Sequence, residues 1–156
     1  MTSGDKNVLL RAAIAAVRDC AETMETQATG LLQALPSVAI LEDVRANALE
    51  LSAGLKDASS RVMFELALLQ TELGEGKADA ATGVERLSAM DAVMMSAVAA
   101  SADIVDELEQ AAERDGRYEP AFDLVIEATG VLMQSLEKAR AATEELRAAD
   151  ASRSAR

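Results

Sequence analysis

The chain has 156 residues, 27 acids against 15 bases and a formal net charge of −12; half of it is hydrophobic but only 2% is aromatic. Histidine is absent and Cys20 is the one cysteine, which excludes histidine triads, histidine phosphotransfer, histidine metal sites, zinc cages and disulfide frameworks. The apolar fraction is too high for a disordered chain, and 33 alanines with abundant Leu, Glu and Arg favour helix.

Four amphipathic segments follow in chain order. The first runs from about Asp5, which or Ser3 is a candidate cap, to Leu35. Its apolar positions are Leu10, Ile14, Val17, Ala21, Met24, Ala28, Leu31 and Leu35. The steps alternate four and three, the signature of a heptad seam. Pro36 ends it, because the residue before proline is disfavoured in helical geometry. Ser37 is the expected cap of a second helix reaching about Leu73, with a stripe at Leu41, Val44, Ala48, Leu51, Leu55, Ala58, Val62, Leu66, Leu69 and Leu73. Two successive steps of four, from Ala58 through Val62 to Leu66, shift that seam like a stutter. With Gly54, Ser59 and Ser60 close by, this predicts a bend or break within 52–60.

Gly74-Glu-Gly76-Lys-Ala-Asp79 reads as a loop whose glycines end one helix and whose Asp79 caps the next. The third helix is predicted over 80–114, with Leu87, Met90, Met94, Ala97, Ser101, Ile104, Leu108 and Ala111 in its seam. Gly116 is expected at a left-handed helix terminus, and Pro120 suits the first turn of a fourth helix over 120–149. That helix has its stripe at Phe122, Val125, Thr129, Leu132, Leu136, Ala139, Thr143 and Leu146. Residues 151–156 are expected to fray.

Helices of about 30–35 residues make rods of about 45–55 Å, and short connections make neighbours antiparallel. The fold class is therefore all-α: one domain over 1–150, an antiparallel up-down four-helix bundle with long coiled-coil-like helices. Ala-Thr-Gly recurs at 28–30, 81–83 and 128–130. Gly30 and Gly130 are read as points of close helix contact, since glycine inside a helix is otherwise costly.

Candidate sites are few. Glu22-x-x-Glu25 and Asp103-x-x-Asp106 have helical spacing for an all-oxygen cation site, but a solvated or partner-facing acidic face is the simpler reading for Asp103, Asp106, Glu107, Glu109 and Glu113. No metal or other cofactor is expected. Asp91 sits at an edge of the third stripe and is a candidate functional acid if partly buried; pairing with an arginine such as Arg61 is the alternative. Thr129 and Thr143 are expected to bond carbonyls of their preceding turns, with Arg140 and Arg147 flanking them. Cys20 reads as a small core residue. In the fourth helix, Leu124, Ala128, Val131 and Ser135 form a second stripe that a homodimer would bury.

Two resemblances accompany this reading. The alanine-rich, aromatic-poor, acidic composition and the length are similar to those of phasins, which coat polyester storage granules; that likeness implies an apolar helix face laid on a hydrophobic surface. The Thr-Gly of Glu127-Ala-Thr-Gly130-Val131 resembles the Asp-Leu-Thr-Gly-Gln segment of the chemotaxis response-regulator phosphatases, which use its acid and amide. Here the amide is missing, so the likeness does not carry phosphatase activity with it.

A phosphate backbone needs a basic face, which this acidic chain lacks, so nucleic acid is not an expected partner. No run approaches 18 consecutive apolar residues, so no spanning helix is expected. One cysteine and no basic-plus-apolar leader fit a reducing cytoplasm, and arginine in excess of lysine with high alanine suggests a bacterial source. The expected function is non-enzymatic, an acidic helical bundle acting by protein–protein interaction as adaptor, scaffold or regulatory module. A phasin-like coat is the second reading and a carboxylate-dependent enzyme the third.

Overall fold

The computed structural model describes residues 3–154. It is 93% helical. The helices are α1 (Ser3–Ala34), α2 (Glu42–Gly74), α3 (Ala80–Ala99), α4 (Ser101–Arg114) and α5 (Glu119–Ser154), and no strand occurs among the described residues. Short 3-10 turns at Leu35–Ser37 and Gly116–Tyr118 join α1 to α2 and α4 to α5. Because α3 and α4 continue one another through the helical Ala100, they form one rod, and the molecule is an all-α four-helix bundle. Around it the order is α1, α2, α3–α4, α5, with α1 also reaching α3 across the diagonal.

The periodicity explains the packing. All eight residues of the first seam, from Leu10 through α1 to Leu35 in the 3-10 turn, are buried. On α2 the eight from Val44 to Leu69 are buried and Leu73 is half-buried. The third rod buries Leu87, Met90, Met94, Ser101, Ile104, Leu108 and Ala111 of its expected seam, while Ala97 is half-buried and its neighbour Val98 takes the core position. α5 buries Val125, Leu132, Leu136, Ala139, Thr143 and Leu146, with Phe122 and Thr129 half-buried. Lys6 of α1 meets Asp150 of α5 at 2.9 Å with only 7% of the lysine side chain exposed. This fixes the beginning of one rod beside the end of another, as antiparallel neighbours require.

Several local expectations need correction. The second helix begins at Glu42, not Ser37: Pro36 sits in the 3-10 turn and the chain then runs extended through Val38 to Leu41. Leu41 is therefore 45% exposed, and Ile40 and Leu35 fill the core instead. The carbonyls freed by this turn are met by Arg45, whose guanidinium donates to Leu35 O and Val38 O at 2.8 and 3.2 Å. No break occurs within 52–60. Ser52 donates to Ala48 O at 3.1 Å, and Ser59 crosses to Ala21 O of α1 at 2.6 Å. The shifted seam is thus absorbed by satisfied hydroxyls, with no orphaned polar group to force the helix open.

The interruption falls instead at Ala100, where Ser101 Oγ donates to Val98 O at 2.7 Å, a local bond that competes with the helical ladder. Gly116 is not left-handed; among the described residues that conformation belongs to Gly76, at φ 73°. Asp79 caps α3 as expected, accepting from Thr82 N at 2.9 Å. The chain is helical past Ala149 to Ser154; Ala155 and Arg156 lie outside the described residues.

The close helix contact is at Gly83, not at Gly30 or Gly130. A Cβ on Gly83 would lie 2.7 Å from Leu10 Cδ1, whereas one on Gly30 or Gly130 would meet nothing within 4 Å. Gly83 is where α1 and α3 approach across the diagonal. Gly130→Ala should therefore raise stability by about 0.5–1 kcal/mol through reduced chain entropy. Gly83→Ala should gain less or lose stability, because Leu10 must turn away. Chemical denaturation of both variants checks this, and a Gly83→Ala gain equal to that of Gly130→Ala would remove the close contact from the account.

Candidate functional site

One seam of the bundle is open. Between α2 and the α3–α4 rod, four adjoining hollows run from Leu41 and Arg114 at one end to Phe64 and Arg86 at the other. Small residues make the opening. Gly54 and Ala58 of α2 face Ala92, Ser96 and Ala97 of α3, and Ala100 lines the next hollow along. These side chains hold the two rods in contact below the surface without filling the space above it.

The uncovered rod is also the most apolar. Within 80–114 an 18-residue window has mean hydropathy 1.3, and 28% of it is buried, a share close to that of the other, less apolar rods. By length and composition alone this rod is long and apolar enough to cross a membrane, a property that the search for uninterrupted apolar runs does not detect. In this fold its seam residues pack in the bundle, while Ala89, Ala92, Ala99 and Ala100 are exposed and Val93 and Ala97 half-buried. At the Phe64 end the hollow is lined by Val62, Met90 and Val93. Phe64 is itself 64% exposed, and Leu68, one turn further on, 40%. Exposed apolar surface gathered in this way marks an interaction site more often than scattered single residues do.

The expected acidic face divides. Asp103 and Glu107 line the groove, opposite Asn47 and Glu50, whereas Asp106 and Glu113 are exposed outside its lining. Among the described residues, no cluster of three potential metal ligands forms. Asp91 lies on the other side of α3, facing α5. Its Oδ1 stands 3.4 Å from Arg140 Nε, and its side chain is 22% exposed. Arg61, the partner suggested by the sequence, lines the α2 groove instead, because it meets the opposite face of the same helix.

Around Asp91 a small polar hollow is lined by Ser88, Arg140, Thr143, Glu144 and Arg147. Arg147 donates to both Ser88 and Glu144, so its charge is already engaged. Thr143 and Thr129 donate to Ala139 O and Val125 O, at 2.9 and 2.8 Å. Cys20 is buried close by; burial raises its thiol pKa, a Ser135 hydrogen bond opposes this and the Asp91 charge adds to it.

The second stripe of α5 faces mostly inward. Ala128 is buried, Leu124 and Ser135 are half-buried, and Val131 is 39% exposed. A bundle helix with two neighbours buries an arc wide enough to take in much of both stripes. The open groove was not among the sequence candidates, although its signal is present. Asp43, Asn47, Glu50, Gly54, Asp57, Arg61, Phe64 and Leu68 form a second heptad-spaced line on α2.

Two measurements test the α3 cap and the buried thiol. The Thr82 backbone N–H and hydroxyl hold the Asp79 carboxyl below its ordinary value of 3.8. A depressed pKa contributes stability above the unfolded value that is lost as pH falls through the folded one. Asp79→Ala should therefore melt lower than wild type near neutrality, and the gap should close in acid below that ordinary value; a gap independent of pH would remove the charged cap. Cys20, buried and with a raised pKa, should react with Ellman's reagent on the order of 100-fold more slowly in the native protein than in urea. Equal rates would place the thiol at the surface. In comparisons with known proteins the chain matches no family model, no curated protein and no solved structure.

Proposed function

We propose that this chain is a non-enzymatic helical-bundle protein that acts by protein–protein interaction, and that its binding face is the open groove between α2 and the α3–α4 rod. The observation that carries the reading is the exposure of the most apolar stretch of the chain along a seam that the other helices leave open. A preformed bundle of this kind presents a fixed surface, so a partner docks without first ordering it. The buried thiol of Cys20 suits a reducing cytoplasm. Self-association remains part of the reading on a different face, the second stripe of α5: Val131 is 39% exposed and Leu124 and Ser135 are half-buried, and a second copy of the chain would cover what the bundle leaves open.

A coat on hydrophobic granules is the competing function, favoured by the same exposed window. A photo-crosslinking amino acid in place of Phe64, tested in the native host, separates the two. The expected result is one or a few discrete protein adducts, lacking when the crosslinker replaces the exposed Glu145 on α5. Adducts confined to lipid or granule polymer would establish the coat and end the adaptor reading. Labelling at Phe64 no stronger than at Glu145 would end the assignment of the groove.

A further inference from the structure

We infer that the segment received by this groove is a cationic amphipathic α-helix of a partner protein, lying along the groove nearly parallel to the rods; this rests on the protein-binding reading above. The case for a helix comes from the spacing of both walls. On α2 the wall residues Asn47, Glu50, Gly54, Asp57, Arg61 and Phe64 are separated by steps of three and four. On the facing rod Arg86, Ala89, Val93, Ser96, Ala100, Asp103 and Glu107 repeat the same steps. Two walls that both keep a 3.5-residue repeat present holes in register with the knobs of a third helix at the shallow crossing angle of coiled coils. From Asp43 to Leu68 the groove is about 38 Å long at 1.5 Å per residue, enough for a helix of about 22–25 residues.

Its charge follows from the rim. Glu50, Asp57, Asp103 and Glu107 line the central stretch, and none of them makes an ion pair among the described residues. Two arginines stand on the same walls: Arg86 is already held by Glu65 and Glu72, and Arg61, one turn from Asp57, leaves the four carboxylates in excess. The partner helix therefore carries apolar residues where it meets Phe64, Leu68, Met90 and Val93, and Lys or Arg one and two heptads away, opposite Asp57 and Glu50. A second copy of this chain fits poorly on the same face: with a net charge of −12, a two-fold pairing of grooves would set these carboxylates against themselves.

The test uses the full chain and a fluorescein-labelled synthetic helix of about 22 residues with a Leu/Ala heptad seam flanked by lysines. Its controls are a twin with every Lys replaced by Glu and a scrambled peptide of the same composition. By fluorescence anisotropy the lysine peptide should bind about tenfold or more tighter than either control and weaken with added salt. Asp57→Lys should reduce its affinity by about tenfold. Gly54→Trp, placed where an added Cβ meets nothing, should block it while circular dichroism stays helical. Equal binding of the scrambled peptide would reduce the effect to bulk charge and overturn the inference, as would equal binding of the glutamate twin or undiminished binding to folded Gly54→Trp. Protein adducts at Phe64 without lysine-peptide binding would overturn the cationic helix alone and leave the protein-binding reading standing.

Discussion

The α1 seam is the element on which the other helices depend. Eight residues from Leu10 to Leu35 repeat at steps of four and three, and every one is buried. α1 packs on α2 and on α5, and it touches α3 across the diagonal, so its apolar stripe meets every rod. At about 25 cal/mol per Å² of apolar area removed from water, such a stripe outweighs any single polar contact in the molecule. The polar contacts that accompany it select geometry. Ser59 binds α2 to the Ala21 carbonyl, and Lys6 binds α1 to Asp150 at the open ends of the chain. A lysine this buried is tolerable only with its partner in place, which ties the last turns of α5 to the start of α1.

The same economy of side-chain volume produces the asymmetry of the bundle. With almost no aromatic residues, the core is Ala, Val, Ile, Leu and Met with Cys20, and the helices approach wherever small residues face each other. At Gly83 the approach is limiting, since Leu10 occupies the space a Cβ would take. The outer seam between α2 and α3–α4 is likewise lined by small residues. There the facing residues are Gly54, Ala58, Ala92 and Ala97, too short to close over the gap. The open groove is thus a consequence of the core's composition as well as a surface feature.

What was legible in the sequence is what periodicity encodes. Most positions of the four seams, the Gly74–Asp79 loop, the Asp79 cap and the helical start at Pro120 follow from local rules and recur in the structure; Leu41 is exposed, and Leu73, Ala97, Phe122 and Thr129 are only half-buried. What failed depends on three-dimensional neighbours. Gly30 and Gly130 look equivalent to Gly83 in the Ala-Thr-Gly triplets, but only Gly83 lies opposite another helix. The stutter near Ala58 reads as a break, yet Ser52 and Ser59 find carbonyls and the helix runs on. Arg61 is the expected partner of Asp91, yet Asp91 faces Arg140 of α5 while Arg61 lines the groove on the other side of α3. The groove escaped notice because its positions belong to two helices, and each line alone resembles an ordinary solvated face of charged and small residues.

Charge and apolar exposure act together on this surface. An apolar stretch left open on a neutral protein invites self-association. Here the opening is flanked by Glu50, Asp57, Asp103 and Glu107, on a chain of net charge −12. Repulsion between like-charged copies opposes their meeting face to face, an effect that reaches about 8–10 Å at ordinary ionic strength. The carboxylates do not reduce the apolar area available to a partner of opposite sign, because they stand on the rim and the alanines and valine lie between them. Repulsion between copies and an apolar face between the carboxylates thus arise on the same surface, so the acidic composition and the α3 face belong to one physical arrangement.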